Sequence, residues 1–237
     1  MINTVVFDFV NTLAYLNPKR EDVIYNFLTE KDINISKSKI VDALKIADDQ
    51  CHYSCFEIVD KKSKKNFFQT KYNKALLTAL EIDYTRRNCI ALYDYFDKIY
   101  KEWILHDGAM DTIKQLRKMG YTVGVASNFD TTLKEKLAAK LDLVNNLDFL
   151  EVSQCIGLEK PDIKFYEYVI KNNKLDPKKT LYIGDSYVLD YIPGQKVGFN
   201  CCLYDKNNIH PSVANRISHF NQVLGFINKW DTTHIKL

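Results

Sequence analysis

Three short apolar runs in this 237-residue chain stop abruptly on polar side chains, and helix-like stretches separate them. Val5-Val6-Phe7 stops at Asp8, Val123-Gly124-Val125-Ala126 runs into Ser127-Asn128, and Leu181-Tyr182-Ile183 runs into Gly184-Asp185-Ser186. Runs of this length, rich in β-branched and aromatic residues, read as strands buried on both faces. The intervening stripes have helical spacing. Ile113, Leu116 and Met119 precede Gly120, a C-cap glycine by position, and Phe165, Tyr166, Val169 and Ile170 precede the third run. Helices are also expected at Leu133–Leu141 and Leu189–Val197, and a further strand at Cys201–Tyr204. Strand alternating with helix predicts an α/β fold, a Rossmann-like parallel sheet with helices on both faces. Such a sheet keeps its ligands at the carboxyl ends of its strands, where all three polar clusters fall.

Residues 15–105 follow another pattern. No buried strand is expected there. Val23, Ile24, Phe27 and Leu28 mark one helix, Ile40, Leu44 and Ala47 a second, and Phe68, Tyr72, Ala75, Leu76 and Ala79 a third. Cys89, Tyr93, Phe96, Tyr100 and Trp103 are spaced 4-3-4-3, one face of a long fourth helix. The expected organisation is a core domain over 1–14 and 106–237 and an inserted α-helical cap domain over 15–105. The cap is expected to sit over the strand ends, with hinges near Ala14–Lys19 and His106–Ala109.

Composition narrows the partners. With 33 basic against 30 acidic residues and a net charge of +3, the chain is too balanced to call for nucleic acid or a membrane surface. No apolar run reaches transmembrane length. Met1-Ile2-Asn3-Thr4 lacks the basic segment and apolar stretch of a signal peptide, so the expected compartment is the cytoplasm, with the six cysteines as reduced thiols. The assembly state is expected to be monomer or homodimer.

Four segments, in order, give the chain a recognisable likeness. Asp8-Phe9-Val10-Asn11-Thr12-Leu13, the strand ending at Ser127, Lys160-Pro161-Asp162, and Gly184-Asp185-Ser186 through Asp190 match the motifs of one family. The chain resembles the haloacid dehalogenase (HAD) superfamily, as a member with an inserted helical cap. Each motif is weak alone; four in order, each at an expected strand end or loop, form a strong signal. The resemblance implies phosphoryl transfer from a small phosphorylated metabolite to Asp8 through an aspartyl-phosphate. It implies Mg²⁺ held by Asp8, the Val10 main-chain carbonyl, Asp185 and Asp190, hard oxygen ligands that suit this ion. Ser127 and Asn128 would bind the phosphoryl oxygens, and Lys160 would hold both Asp8 and the phosphoryl group by charge.

The chain departs from the family at Val10. The family's phosphatases carry there a second aspartate that protonates the leaving oxygen and then deprotonates the attacking water. Such acid–base catalysis is worth roughly 10²–10⁴-fold, so hydrolysis of esters with poor leaving groups is expected to be slow. One alternative is a catalytically impaired pseudo-phosphatase that serves as a binding or regulatory protein. Another is dehalogenase- or phosphonatase-like chemistry. The family's dehalogenases have a tyrosine at this position and its phosphonatases an alanine with a cap lysine. The intact Gly184-Asp185-Ser186 and the absence of a standout cap lysine fit neither.

Simpler readings remain beside these. Asp8 and Asp190 suit helix-terminal charges, and Ser127 and Thr12 suit caps or turns. Cys51-His52-x-x-Cys55 has two thiols on one helical face, but no second ligand pair completes a zinc site. The run Lys61-Lys62-Ser63-Lys64-Lys65 reads as a solvated face.

Overall fold

The computed structural model describes residues 1–51, 60–99, 101–135 and 142–234. The chain divides into two compact units, Met1–Tyr15 with Trp103–Leu237, and Leu16–Glu102. The strands in chain order are β1 (Thr4–Phe7), β2 (Ala14–Asn17), β3 (Glu102–Leu105), β4 (Thr122–Ser127), β5 (Phe149–Val152), β6 (Thr180–Gly184), β7 (Asn200–Tyr204) and β8 (Arg216–Ile217). Six form one sheet in the order β5-β4-β1-β6-β7-β8, every neighbouring pair parallel. The α/β architecture with a parallel sheet is as the sequence pattern predicts, though the sheet has six strands where four are expected.

The period of two along each strand sorts its side chains onto two faces. Val5, Phe7, Val123, Val125, Leu181, Ile183, Cys202 and Tyr204 share one cluster with Ala109, Ile113 and Leu116 of helix Ala109–Lys118 and Val223 and Ile227 of helix Val223–His234. Val6, Ala126, Tyr182 and Cys201 join the second cluster with Phe165, Tyr166 and Val169 of helix Ile163–Asn172. Both faces are therefore covered, which is why the runs are apolar without interruption. Gly124 is the exception: its neighbour in register on β5 is Phe149, whose ring occupies the space a Cβ would need.

One expectation in this unit is corrected and another refined. Met119 does not continue the stripe of Ile113 and Leu116; it is 53% exposed. The helix ends at Lys118, and Gly120, at φ +86°, turns the chain away, with the Tyr121 amide donating to the Leu116 carbonyl. The expected helix Leu189–Val197 is a π-helical turn, Tyr187–Tyr191, running into α-helix Ile192–Lys196. Of the expected helix 133–141, residues 136–141 lie outside the described residues.

In the second unit, helices Arg20–Thr29, Lys37–Gln50, Asn73–Ala79 and Arg86–Lys98 pack around Ile24, Phe27, Ile40, Leu44, Leu76, Cys89 and Leu92. Ser36, Asp60 and Thr85 cap helix N-termini with their side chains, each satisfying an amide with no partner inside its own helix. Lys61–Phe67 is helical, followed by a π-turn at Phe68–Tyr72.

Among the described residues of 15–105 no buried strand occurs, but two short, partly exposed strands stand at the ends of this stretch, where β2 and β3 form a two-stranded sheet. The fourth helix is correspondingly shorter and stops at Lys98. Trp103 belongs to β3; its spacing from Phe96 matched a helical face by coincidence, and four-residue strands are too short to show their own period. Tyr100, and His52 and Cys55 of the thiol pair, lie outside the described residues. Cys51 is buried, with its thiol against the Lys71 carbonyl. Among the described residues no helix is long and apolar enough to cross a membrane.

Candidate active site

The central strand places Asp8. β1 lies between β4 and β6, with Phe7 in register with Val125 on one side and Ile183 on the other. Because all three strands are parallel, their carboxyl ends meet at one rim. The Asp8 amide donates to the Ile183 carbonyl at 2.9 Å, so the residue is still tied to the sheet where its side chain emerges. Ser127 ends β4, and Asp185 follows Gly184 at the end of β6.

Three side chains hold the Asp8 carboxylate. Ser127 Oγ donates to Oδ1 at 2.9 Å, and Lys160 Nζ donates to the same oxygen at 2.7 Å. Thr12 Oγ1 lies 3.1 Å from Oδ2 and 3.2 Å from Asp185 Oδ1, and it accepts the Asp185 amide at 2.9 Å. Beyond the cap or turn role its position suggests, Thr12 links the loops after β1 and β6.

Lys160 is 2% exposed, and its ammonium sits between two carboxylates. Nζ lies 2.7 Å from Asp8 Oδ1 and 2.6 Å from Asp190 Oδ1. A third contact, at 3.4 Å, reaches the Tyr182 hydroxyl, so all three donors of the ammonium have an acceptor. Burial opposes this charge, but Asp190 and Asp8 outweigh the opposition and keep Lys160 protonated above its ordinary range. Its backbone is fixed by Asn128. The Lys160 amide donates to Asn128 Oδ1 at 2.8 Å, and Asn128 Nδ2 donates to the Lys160 carbonyl at 2.9 Å. The Asn128 side chain is thus committed to placing Lys160.

Asp190 comes from the π-turn after β6. Ser186 starts that turn by accepting the Leu189 amide, and its own amide donates to Asp190 Oδ2 at 3.1 Å. Gly184 makes room for this: a Cβ there would collide with the Asp190 carboxyl group. Tyr182, which sequence reading treated as strand core, also belongs to the site. Its hydroxyl donates to the Ala126 carbonyl at 2.9 Å and lies 3.4 Å from Asp190 Oδ1. The available signal was its place in β6, a hydroxyl between Leu181 and Ile183 that must find a partner once buried.

The carboxylates crowd one another. Oxygens of Asp8, Asp185 and Asp190 lie within 4.8 Å of each other. Burial first, and then the charges of Asp8 and Asp190, push Asp185 well above the usual carboxylate range. Burial likewise raises Asp190, against the pull of Lys160, to about 6. Three carboxylates against one ammonium leave uncompensated negative charge among oxygen donors, a set that fits a hard divalent cation. Of the expected residues, Asp8, Ser127, Lys160, Asp185 and Asp190 are brought together. Asn128 reaches the site through Lys160. Val10 is half-buried, packed against the apolar cluster of the core.

A parallel six-stranded sheet thus gathers a carboxylate cluster, a hydroxyl and a buried lysine at its strand ends. The family profile described as haloacid dehalogenase-like hydrolase matches residues 2–198, and the chain belongs to that family. Over 112 residues it is 34% identical to the haloacid dehalogenase-like hydrolase domain-containing protein 3 of Mus musculus, covering 47% of this chain and 44% of that protein. Over 125 residues it is 23% identical to a glyceraldehyde 3-phosphate phosphatase of Methanothermobacter thermautotrophicus, covering 48% and 55%. The chain spans about half the length of the curated relatives it matches. The magnesium-bound HAD-hydrolase YfnB of Bacillus subtilis shares the fold, with a TM-score of 0.65 at 19% identity over 96% of this chain and 99% of that one.

Proposed function

We propose that this chain is a Mg²⁺-dependent phosphatase or phosphotransferase that takes a phosphoryl group from a small phosphorylated metabolite onto Asp8. The contact of Asp8 with Ser127, Thr12 and Lys160 beside two further carboxylates carries this reading. Phosphoryl transfer asks the protein mainly for position and for neutralisation of charge. Asp8 is the nucleophile. The Ser127 hydroxyl, now on Asp8 Oδ1, is within reach of a phosphoryl oxygen placed on that carboxylate. Lys160 offsets negative charge on Asp8 and on the incoming group. Asp8, Asp185, Asp190 and the Val10 carbonyl would hold Mg²⁺, which when bound supplies further neutralisation of the phosphoryl oxygens. Relatives bearing phosphatase names support the substrate class.

The deciding experiment compares phosphate release from a panel of phosphorylated metabolites by wild type and Asp8→Asn, with Mg²⁺ and with EDTA. Activity should require both Asp8 and the metal. Full activity in Asp8→Asn would end the proposal. A binding or regulatory role is the second reading, favoured by Val10, which has no proton to give. It predicts phosphate and Mg²⁺ binding with negligible turnover. A dehalogenase-like reaction is disfavoured, because a carboxylate that displaces a halide gains nothing from an intact acidic cluster.

A further inference from the structure

Both halves of an aspartyl-phosphate cycle normally need a proton carrier, and among the described residues no side chain that touches the Asp8 carboxylate offers one. The side chains touching its carboxylate are Thr12, Ser127 and Lys160. Two are hydroxyls, and the third is an ammonium held charged between two carboxylates. Asp190 is taken up by Lys160 and the Ser186 amide, and Asp185 by Thr12. Two residues past the nucleophile, the Val10 side chain contributes only packing. Its loop is closed by main-chain bonds: the Leu13 and Ala14 amides both donate to the Phe9 carbonyl, and the Asn11 amide donates to the Ala14 carbonyl.

From this arrangement we infer that the productive phosphoryl donors are acyl phosphates, and that the phosphoryl group then stays on Asp8 instead of passing quickly to water. The inference rests on Asp8 being the phosphoryl acceptor, as proposed above. In the first step an Asp8 carboxylate oxygen attacks phosphorus. The bond from phosphorus to the donor's acyl oxygen breaks, and the donor leaves as a carboxylate with the electron pair. No proton moves, because a carboxylate is stable unprotonated at neutral pH. An alkoxide is about ten pK units more basic and would need a proton as it leaves. One mixed anhydride is exchanged for another, so little bond energy is lost. In the second step a water oxygen attacks phosphorus, Asp8 leaves as a carboxylate, and the proton of the water passes to solvent. With valine at position 10 and no base among the described side chains touching Asp8, this step lacks the roughly 10²–10⁴-fold that a positioned base supplies.

The experiment uses the whole chain, Mg²⁺, and acetyl phosphate as the probe. Expected is a burst of acetate equal to the enzyme present, followed by slow turnover, with one phosphoryl group seen by intact mass on wild type and absent from Asp8→Asn. Hydroxylamine should discharge it, attacking the Asp8 carbonyl carbon to leave a hydroxamate and free phosphate. Val10→Asp should shorten the phosphoenzyme lifetime by about 10²–10⁴-fold and raise the ratio of sugar-phosphate to acetyl-phosphate hydrolysis. The wild-type burst and mass stand even where that variant fails to fold. Metal- and Asp8-dependent ester hydrolysis with no burst and no trapped phosphoryl group would overturn this inference and leave the proposed function standing. Inertness toward acetyl phosphate and esters alike would overturn both.

Discussion

Replacing Lys160 by methionine, an unbranched apolar side chain of similar length, isolates the charge at the centre of the site. The ammonium is buried 2.7 Å from one carboxylate and 2.6 Å from another, and each of the three side chains is 6% exposed or less. At an effective dielectric of about 20, each contact has a gross attraction of roughly 6 kcal/mol. Removing the ammonium from water cancels much of the sum, and breaking a buried pair by deleting one partner costs about 3–5 kcal/mol. Two stranded carboxylates put the expected loss near the upper end. The assay is urea unfolding of Lys160→Met and wild type in EDTA, at pH 8 and pH 5. Asp190 already sits at about 6 in the folded protein, above its ordinary 3.8. The stability contributed by its bound proton is therefore fully present below 3.8 and lost as pH rises through about 6. Lys160 pulls this value down, so its removal moves the loss to higher pH. The deficit of the variant should be largest at pH 8 and shrink toward pH 5. A deficit below about 1 kcal/mol at pH 8, or one that grows as pH falls, would refute the electrostatic account.

Two further substitutions test the supporting residues. Tyr182→Phe keeps the ring but leaves the buried Ala126 carbonyl without its hydroxyl donor. A loss of about 1–3 kcal/mol is expected by chemical denaturation, and an unchanged midpoint would argue that the hydroxyl contributes nothing. Gly184→Ala puts a methyl group into the Asp190 carboxyl position. It should cost about 1–3 kcal/mol and abolish the rise in melting temperature caused by Mg²⁺ in wild type; a full Mg²⁺ response would show that Asp190 need not sit where it does.

Much of the core was legible because its signals are local. Val5-Val6-Phe7, Val123–Ala126 and Leu181–Ile183 are each apolar on both faces, which only a sheet covered on both sides explains. β5 and β8 were missed. The first has just four residues, Phe149-Leu150-Glu151-Val152, with an acid among them, and the second has two. Such segments become strands by pairing with the strand beside them, a contact the linear chain does not display. The same limit made Trp103 look helical.

The order of residues by itself determined which chemical groups stand at the strand ends, because a strand delivers whatever residue follows it to the rim. It also determined that Val10 carries no proton, a fact of side-chain identity that no folding can alter. Only the tertiary structure decided that Lys160 is a buried bridge and not a solvated loop residue, that Asn128 grips its backbone, and that Thr12 and Tyr182 complete the cluster. Those outcomes depend on distances between atoms up to 173 positions apart in the chain. Packing brings such atoms together, and no local preference encodes their separation.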